Sequence, residues 1–126
     1  MTISKHPFDA LDGQQYISLT TYRKTGQPVA TPVWFAREGD VLYVVTQAES
    51  GKVKRIRNNP QVQIAPCDVR GRLKGDPMPA RARILPEEAF PTADRAITRK
   101  YGLLKRLFDL FQRRSKRVYL AIEPTA

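Results

Sequence analysis

A single cysteine, Cys67, and a single histidine, His6, occur among the 126 residues. One thiol excludes a disulfide within the chain. One thiol with one imidazole cannot build the usual Cys/His zinc site, so no metal ligands are assigned. No apolar run approaches the roughly 18 residues that a membrane span needs, so no stable membrane insertion is expected. The opening Met-Thr-Ile-Ser-Lys-His-Pro has no basic start leading into an apolar stretch. We therefore expect no export signal and a cytoplasmic protein. Phosphate-cradling and hydrolytic signatures are missing too: there is no GxGxxG, no Walker loop, no GxSxG and no HExxH.

Acids are scarce, with 12 Asp plus Glu against 22 Lys plus Arg, a formal charge of +10. What remains is ordinary globular usage, 41% hydrophobic and 27% charged, which excludes a wholly disordered chain. We expect one compact domain over residues 1–126. A pI near 10.2 favours an anionic partner: nucleic acid, acidic lipid or a phosphorylated small molecule. The charge is clustered. Lys52, Lys54, Arg55 and Arg57 follow a small-residue turn, Ser50-Gly51. Arg70, Arg72 and Lys74 form a second group, and eight bases against Asp109 alone fill residues 99–117. Most of these charges are read as solvated. The first cluster differs, because free N–H groups beside fixed cations suit a phosphate.

Along the chain, residues 14–23 read as a strand of β-branched and aromatic residues. Lys24-Thr25-Gly26-Gln27 is a turn, and residues 29–36 return as its hairpin partner. Pro28 and Pro32 cannot donate to a ladder, so that strand should lie at an edge or carry a bulge. Residues 41–46 form a continuous buried strand. The 50–59 segment, with Val53 and Ile56 three apart, is a short helix with Ser50 as N-cap, stopped by Asn58-Asn59-Pro60. Residues 61–66 and 80–85 alternate as strands around a Gly/Pro-rich loop. Pro86-Glu87-Glu88 opens a helical stretch that runs through Leu103, Leu104, Leu107, Phe108, Leu110 and Phe111, and Pro91 breaks or restarts it. In residues 117–122, Val118, Leu120 and Ile122 point one way and Tyr119 and Ala121 the other. Six strands, mostly hairpin-connected, with few helices make a β-rich α+β domain, best built as a small antiparallel barrel.

No side chain stands out as catalytic. His6 reads as a tail histidine in a mobile segment, Cys67 as a packing cysteine, and Asp9, Asp12, Glu87 and Glu88 as helix caps. No carboxylate pair suggests acid–base work. If the chain is an enzyme, a bound cofactor carries the hard step.

Three segments stand together: Ala30-Thr31-Pro32-Val33-Trp34-Phe35, Thr46 through Ser50-Gly51-Lys52-Val53-Lys54-Arg55, and Val62 through Ala65-Pro66-Cys67-Asp68. With Leu19-Thr20-Thr21-Tyr22-Arg23 and Leu42-Tyr43-Val44-Val45-Thr46, their order resembles the split-barrel flavin and deazaflavin oxidoreductases, the superfamily of pyridoxamine 5'-phosphate oxidase. The likeness is greatest to its short coenzyme F420-dependent members. It covers most of the chain, is strongest over residues 16–85 and weakens after Pro86. The resemblance implies a six-stranded FMN-binding split barrel and a homodimer with FMN or coenzyme F420 in an intersubunit groove. It further implies Lys52 and Arg55 on the cofactor phosphate, with Gly51 in the same turn and Ser50 and Thr46 as neighbouring hydroxyls. Thr31, Pro32, Val33 and Trp34 would line the ring, and Ala65, Pro66 and Cys67 would pass the ring or phosphate tail.

The expected function is hydride transfer between such a cofactor and a small organic substrate. A non-catalytic flavin, deazaflavin or tetrapyrrole binder is the alternative. A nucleic-acid-binding barrel ranks last, because exposed stacking aromatics are not evident. The basic stretch with Leu104, Leu107, Phe108 and Phe111 is expected to pack on the barrel or at a dimer interface. A membrane-surface helix, or a guard over the groove, is the functional alternative.

Overall fold

The computed structural model describes residues 6–112 and 116–125. Readings made on residues 1–5, the Phe111 side chain, Arg113 and Arg114 lie outside the described residues.

Seven strands form one curled antiparallel sheet: β1 Tyr16–Tyr22, β2 Pro28–Trp34, β3 Ala36–Glu38, β4 Val41–Gln47, β5 Gln61–Cys67, β6 Met78–Ile84 and β7 Arg117–Pro124. Their order is β2-β1-β5-β6-β7-β4-β3. Three helices complete the chain: α1 Gly51–Asn58, α2 Phe90–Tyr101 and α3 Leu103–Gln112. This is the expected β-rich α+β split barrel, with seven strands rather than six.

The extra strand has a local cause. The phenol of Tyr101 occupies the backbone of Phe35: the Phe35 N–H donates to Tyr101 Oη at 2.9 Å. The phenol proton in turn faces the carbonyls of Gln15 at 2.7 Å and Phe35 at 2.9 Å. Phe35 is thereby withdrawn from both ladders. Trp34 ends the pairing with β1 opposite Tyr16, and Ala36 begins a new pairing with β4 opposite Tyr43. What reads in sequence as one strand over residues 29–36 therefore crosses from one end of the sheet to the other, bringing β2 beside β4. β2 is an edge, as its prolines require, and its register runs unbroken through Pro32 opposite Ser18, without a bulge.

Alternation places two cores. Inside the curl lie Ile17, Leu19, Val44, Ile64, Leu120 and Ile122, all fully buried. On the outer face, Val45, Tyr119 and Ala121 meet Ala93, Ala96 and Ile97 of α2. Val53 and Ile56 are the buried pair of α1. At about 2 kcal/mol each for full burial, they fix the helix against the barrel.

Pro91 restarts the helical stretch, sitting in the first turn of α2 after a 3-10 turn, Glu87–Ala89. Gly102, at φ +56°, separates α2 from α3, a conformation that L side chains rarely adopt. A fully buried Lys105 then ties α3 down. Its Nζ donates to Asp94 Oδ1 of α2 at 2.7 Å and to Asp109 Oδ1 at 2.6 Å. Arg117 of β7 also pairs with Asp109, and the Tyr119 hydroxyl donates to Asp94 at 2.6 Å.

Two expectations are corrected. His6 is not a free tail residue. It caps the 3-10 turn Pro7–Leu11, its Nδ1 accepting from the Phe8 N–H at 3.0 Å while its own N–H donates to Asp9. Asp9 and Asp12 also hold Arg37. Of the two packing sites expected for the helical leucines the barrel is corrected, since Leu104 and Leu107 are 54% and 45% exposed and Phe108 alone of the described stripe turns inward, against Trp34; the dimer interface stands as an expectation.

Candidate functional site

α1 starts where β4 ends, so the last residues of one element and the first turn of the other share a corner. Ser50 occupies the N-cap position as expected, but its hydroxyl does not cap the helix. It lies 3.3 Å from the Thr46 hydroxyl instead. The N–H groups of the first turn therefore lack a side-chain acceptor and carry the positive end of the helix dipole.

The helical period sorts the four basic residues of α1. Lys54 and Arg57 are exposed, as read from sequence, whereas Lys52 and Arg55 are half-buried. Arg55 is fixed: its Nε donates to the buried Thr21 hydroxyl of β1 at 2.6 Å. Its guanidinium folds over the helix start so closely that a Cβ at Gly51 would come within 2.6 Å of Nη1. A side chain at residue 51 would push the tip of that guanidinium aside. Among the described residues Lys52 has no ion pair. Burial pushes its ammonium below the usual lysine range, and the Arg55 charge adds to the effect. Two cations that feel each other's charge, with no ion pair to either among the described residues, have the chemistry that suits an anion.

Lys52 also lines a cleft of about 260 Å³ between β2 and β4, with Tyr16, Pro32, Val33, Trp34, Val45, Thr46, Gln47 and Phe108. The Trp34 wall is rigid: its ring stacks on Tyr101 with centroids 4.4 Å apart and 11° between planes, and Phe108 closes on it at 5.5 Å. The cleft is thus a flat apolar slot with hydroxyl, amide and cationic groups at one end, the general build of a site for a planar cofactor.

The structure brings together Pro32, Val33, Trp34, Thr46 and Lys52 in the slot, with Ser50, Gly51 and Arg55 at its cationic end. Thr31 is half-buried on β2 and lines none of the clefts described here. Ala65, Pro66 and Cys67 are not gathered with them. Ala65 lines a separate cleft with Ser18, Thr20, Gly71 and Leu73. Pro66 packs against Gly75, where a Cβ would come within 2.9 Å. Cys67 is buried, and that burial, followed by the Asp68 charge, raises its thiol above the usual range. Sequence reading missed Tyr16, Val45, Gln47 and Phe108 as lining residues. Tyr16 and Val45 carried only strand signals, and Phe108 belonged to a helical stripe with nothing to show where it would dock.

A second cleft of equal volume, lined by Leu11, Phe35, Arg37, Arg99 and Lys100, has its cations engaged. Arg37 pairs with Asp9 and Asp12, and Arg99 with Glu38. Lys100 donates to the Gln14 carbonyl at 2.7 Å and lies 3.5 Å from the Phe35 ring centre. With both arginines paired to carboxylates and Lys100 turned to a carbonyl and a ring, it suits an anion less well than the first.

The family model described as pyridoxamine 5'-phosphate oxidase matches residues 5–126. The chain belongs to that family. As a member of the pyridoxamine 5'-phosphate oxidase family it shares its fold with solved structures of low identity. A FAD-binding protein of Mesorhizobium loti aligns at 19% identity and TM-score 0.68, over 94% of this chain and 84% of that one. A heme storage protein of Vibrio cholerae, HutZ, aligns at 14% identity and TM-score 0.72, over 100% and 92%. An F420 reductase aligns at 20% identity and TM-score 0.60, over 98% and 97%. No curated protein matches this family member. No helix among its described residues is long and apolar enough to cross a membrane.

Proposed function

We propose that the protein is an oxidoreductase that binds a flavin-type cofactor, coenzyme F420 or FMN, between the subunits of a homodimer and passes a hydride to or from a small organic substrate. The observation that carries this reading is the carboxylate-free pair Lys52 and Arg55 at the open start of α1, beside an aromatic-walled slot. A phosphate monoester fits these residues. Lys52 and Arg55 would hold its charge, and the first-turn N–H groups would donate to it. Trp34, Pro32 and Val33 would lie along the ring and keep water from one face. The bound cofactor supplies the hydride chemistry; the chain supplies position, charge and a dry wall. The slot, at about 260 Å³, is below the roughly 300 Å³ at which ligand pockets begin. A second subunit would complete the site. Family membership and the F420 reductase and FAD-binding relatives support the cofactor class.

A cofactor carrier without catalysis is the second reading. It is favoured by the slot's lining, which has no carboxylate, histidine or cysteine among the described residues, and by the heme storage relative. Titration of the purified protein with FMN and with coenzyme F420, followed by fluorescence, tests both readings. We expect micromolar or tighter binding of one, weakened about a hundredfold or more in Lys52→Ala/Arg55→Ala, since each charge-assisted bond contributes about 1.5–3 kcal/mol. Binding of neither would remove both readings. Binding without oxidation of the reduced cofactor by any electron acceptor tried would leave the carrier.

A further inference from the structure

We propose that α3 docks the protein reversibly on an anionic phospholipid surface, with its leucine face set into the headgroup region. The inference does not require a bound cofactor, although Phe108, which helps anchor α3, also lines the slot.

Leu103, Leu104, Leu107 and Leu110 are 71%, 54%, 45% and 59% exposed. Spaced i, i+1, i+4 and i+7, they lie on one face of the helix. Their exposure does not come from a loose helix. The inner face is held by Lys105, which is 1% exposed and bonded to Asp94 and Asp109, and by Phe108 against Trp34. Anchoring on that side fixes the leucines outward. A contiguous apolar row on a charged surface marks an interaction site rather than chance exposure.

Charge selects the occupant. Arg106 is exposed, three residues after Leu103 and four before Leu110, so it flanks the row. The one acid of α3, Asp109, is consumed by Lys105 and Arg117. The described part of α3 thus offers leucine and arginine outward with no free negative charge, on a chain of formal charge +10. A two-fold contact between copies would bring together two faces that each carry Arg106 and no free acid, adding like charge rather than opposite charge. An anionic bilayer supplies both the opposite charge and an apolar phase for the leucines. Ten residues cannot span a bilayer, so the helix would lie in its surface.

The test is sedimentation of the full chain with vesicles of phosphatidylcholine alone, and of equimolar phosphatidylcholine and phosphatidylglycerol. We expect binding to the anionic vesicles only, reversed by concentrated salt. Leu103→Ser/Leu107→Ser should weaken it by about tenfold or more, with circular dichroism and urea midpoint unchanged because both leucines are exposed. Arg106→Glu alone should also weaken it and stands in if the double variant fails to fold. No binding to anionic vesicles overturns the proposal. So does equal binding by the leucine variant, which would mean a merely electrostatic contact. Dissociation of an oligomer by Leu103→Ser/Leu107→Ser, without vesicle binding by the parent chain, would make the row a subunit interface and also overturn it.

Discussion

Lys52 on α1 and Lys105 on α3 both lie beside the barrel's outer wall, and both lose much of their contact with water. Lys105 is 1% exposed and meets two carboxylates within 2.7 Å, one of them shared with Arg117. Lys52 is half-buried and meets only the charge of Arg55. A buried cation with its counter-charges in place is part of the scaffold. A half-buried cation facing another cation is unfavourable by itself and is relieved by an anion from outside. The difference separates structure from function better than residue type or local charge density does, since the sequence around Lys105 is as basic as that around Lys52.

The comparison can be broken at its strongest point first. Lys105→Ala would leave Asp94 without a cation and Asp109 with Arg117 alone. Breaking a buried pair costs about 3–5 kcal/mol, and the lower end is expected because both carboxylates keep contact with water. Urea unfolding should show a loss of about 3 kcal/mol, and an unchanged midpoint would remove Lys105 from the scaffold. Lys52→Ala should do the reverse. We expect stability within about 0.5 kcal/mol of the parent chain, while affinity for FMN or coenzyme F420 falls by about 2 kcal/mol. A large loss of stability with affinity retained would invert the assignment.

Tyr101 joins the two regions, since it stacks on the slot's Trp34 and stands just before the break leading to α3. Tyr101→Phe keeps the stack but leaves the buried Phe35 N–H without its acceptor. An unfolding loss of about 1–2 kcal/mol is expected, with weaker cofactor binding if the corner at Phe35 positions Trp34.

The smallest effect is the response to acid. Burial alone would raise the Asp94 and Asp109 carboxyls. Lys105, with Tyr119 at Asp94 and Arg117 at Asp109, outweighs it and holds both below the usual range. A carboxylate depressed on folding adds stability above its unfolded pKa, near 4, and loses it as pH falls through the folded value. Urea midpoints should therefore drop below about pH 4, by about 1 kcal/mol in all for groups this exposed. The drop should flatten in Lys105→Ala. A parallel drop in the variant would place the acid sensitivity elsewhere.

Much of the fold was legible because its signals are local. Alternation in residues 61–66, the proline-marked edge strand and the stop at Asn58-Asn59-Pro60 each depend on near neighbours. The sorting of α1 was legible for the same reason, since Val53 and Ile56 fix which basic residues face out. The strand switch at Phe35 was not, because the hydroxyl that causes it comes from Tyr101, 66 residues away. Nor could sequence show that Lys105 turns inward. It sits in a basic, amphipathic stretch where solvated charge is the ordinary outcome, and its partner Asp94 belongs to another helix. The third candidate segment, Ala65-Pro66-Cys67, reaches the slot's edge only through Cys67, which pairs with the lining residue Tyr16, because β5 lies on the far side of β1 from β2.

By itself, then, the sequence determined most of the elements, the edge character of β2, and the placing of two cations and a glycine at the start of one short helix. Those properties follow from backbone sterics and helical or strand periodicity, which act over a few residues. Tertiary structure alone decided that β2 and β4 face each other across a slot, that Trp34 is braced by Tyr101, and that one lysine is neutralised while another is left facing an arginine. Desolvation and Coulomb attraction depend on which distant groups are brought within a few ångströms, and only the closed fold sets those distances.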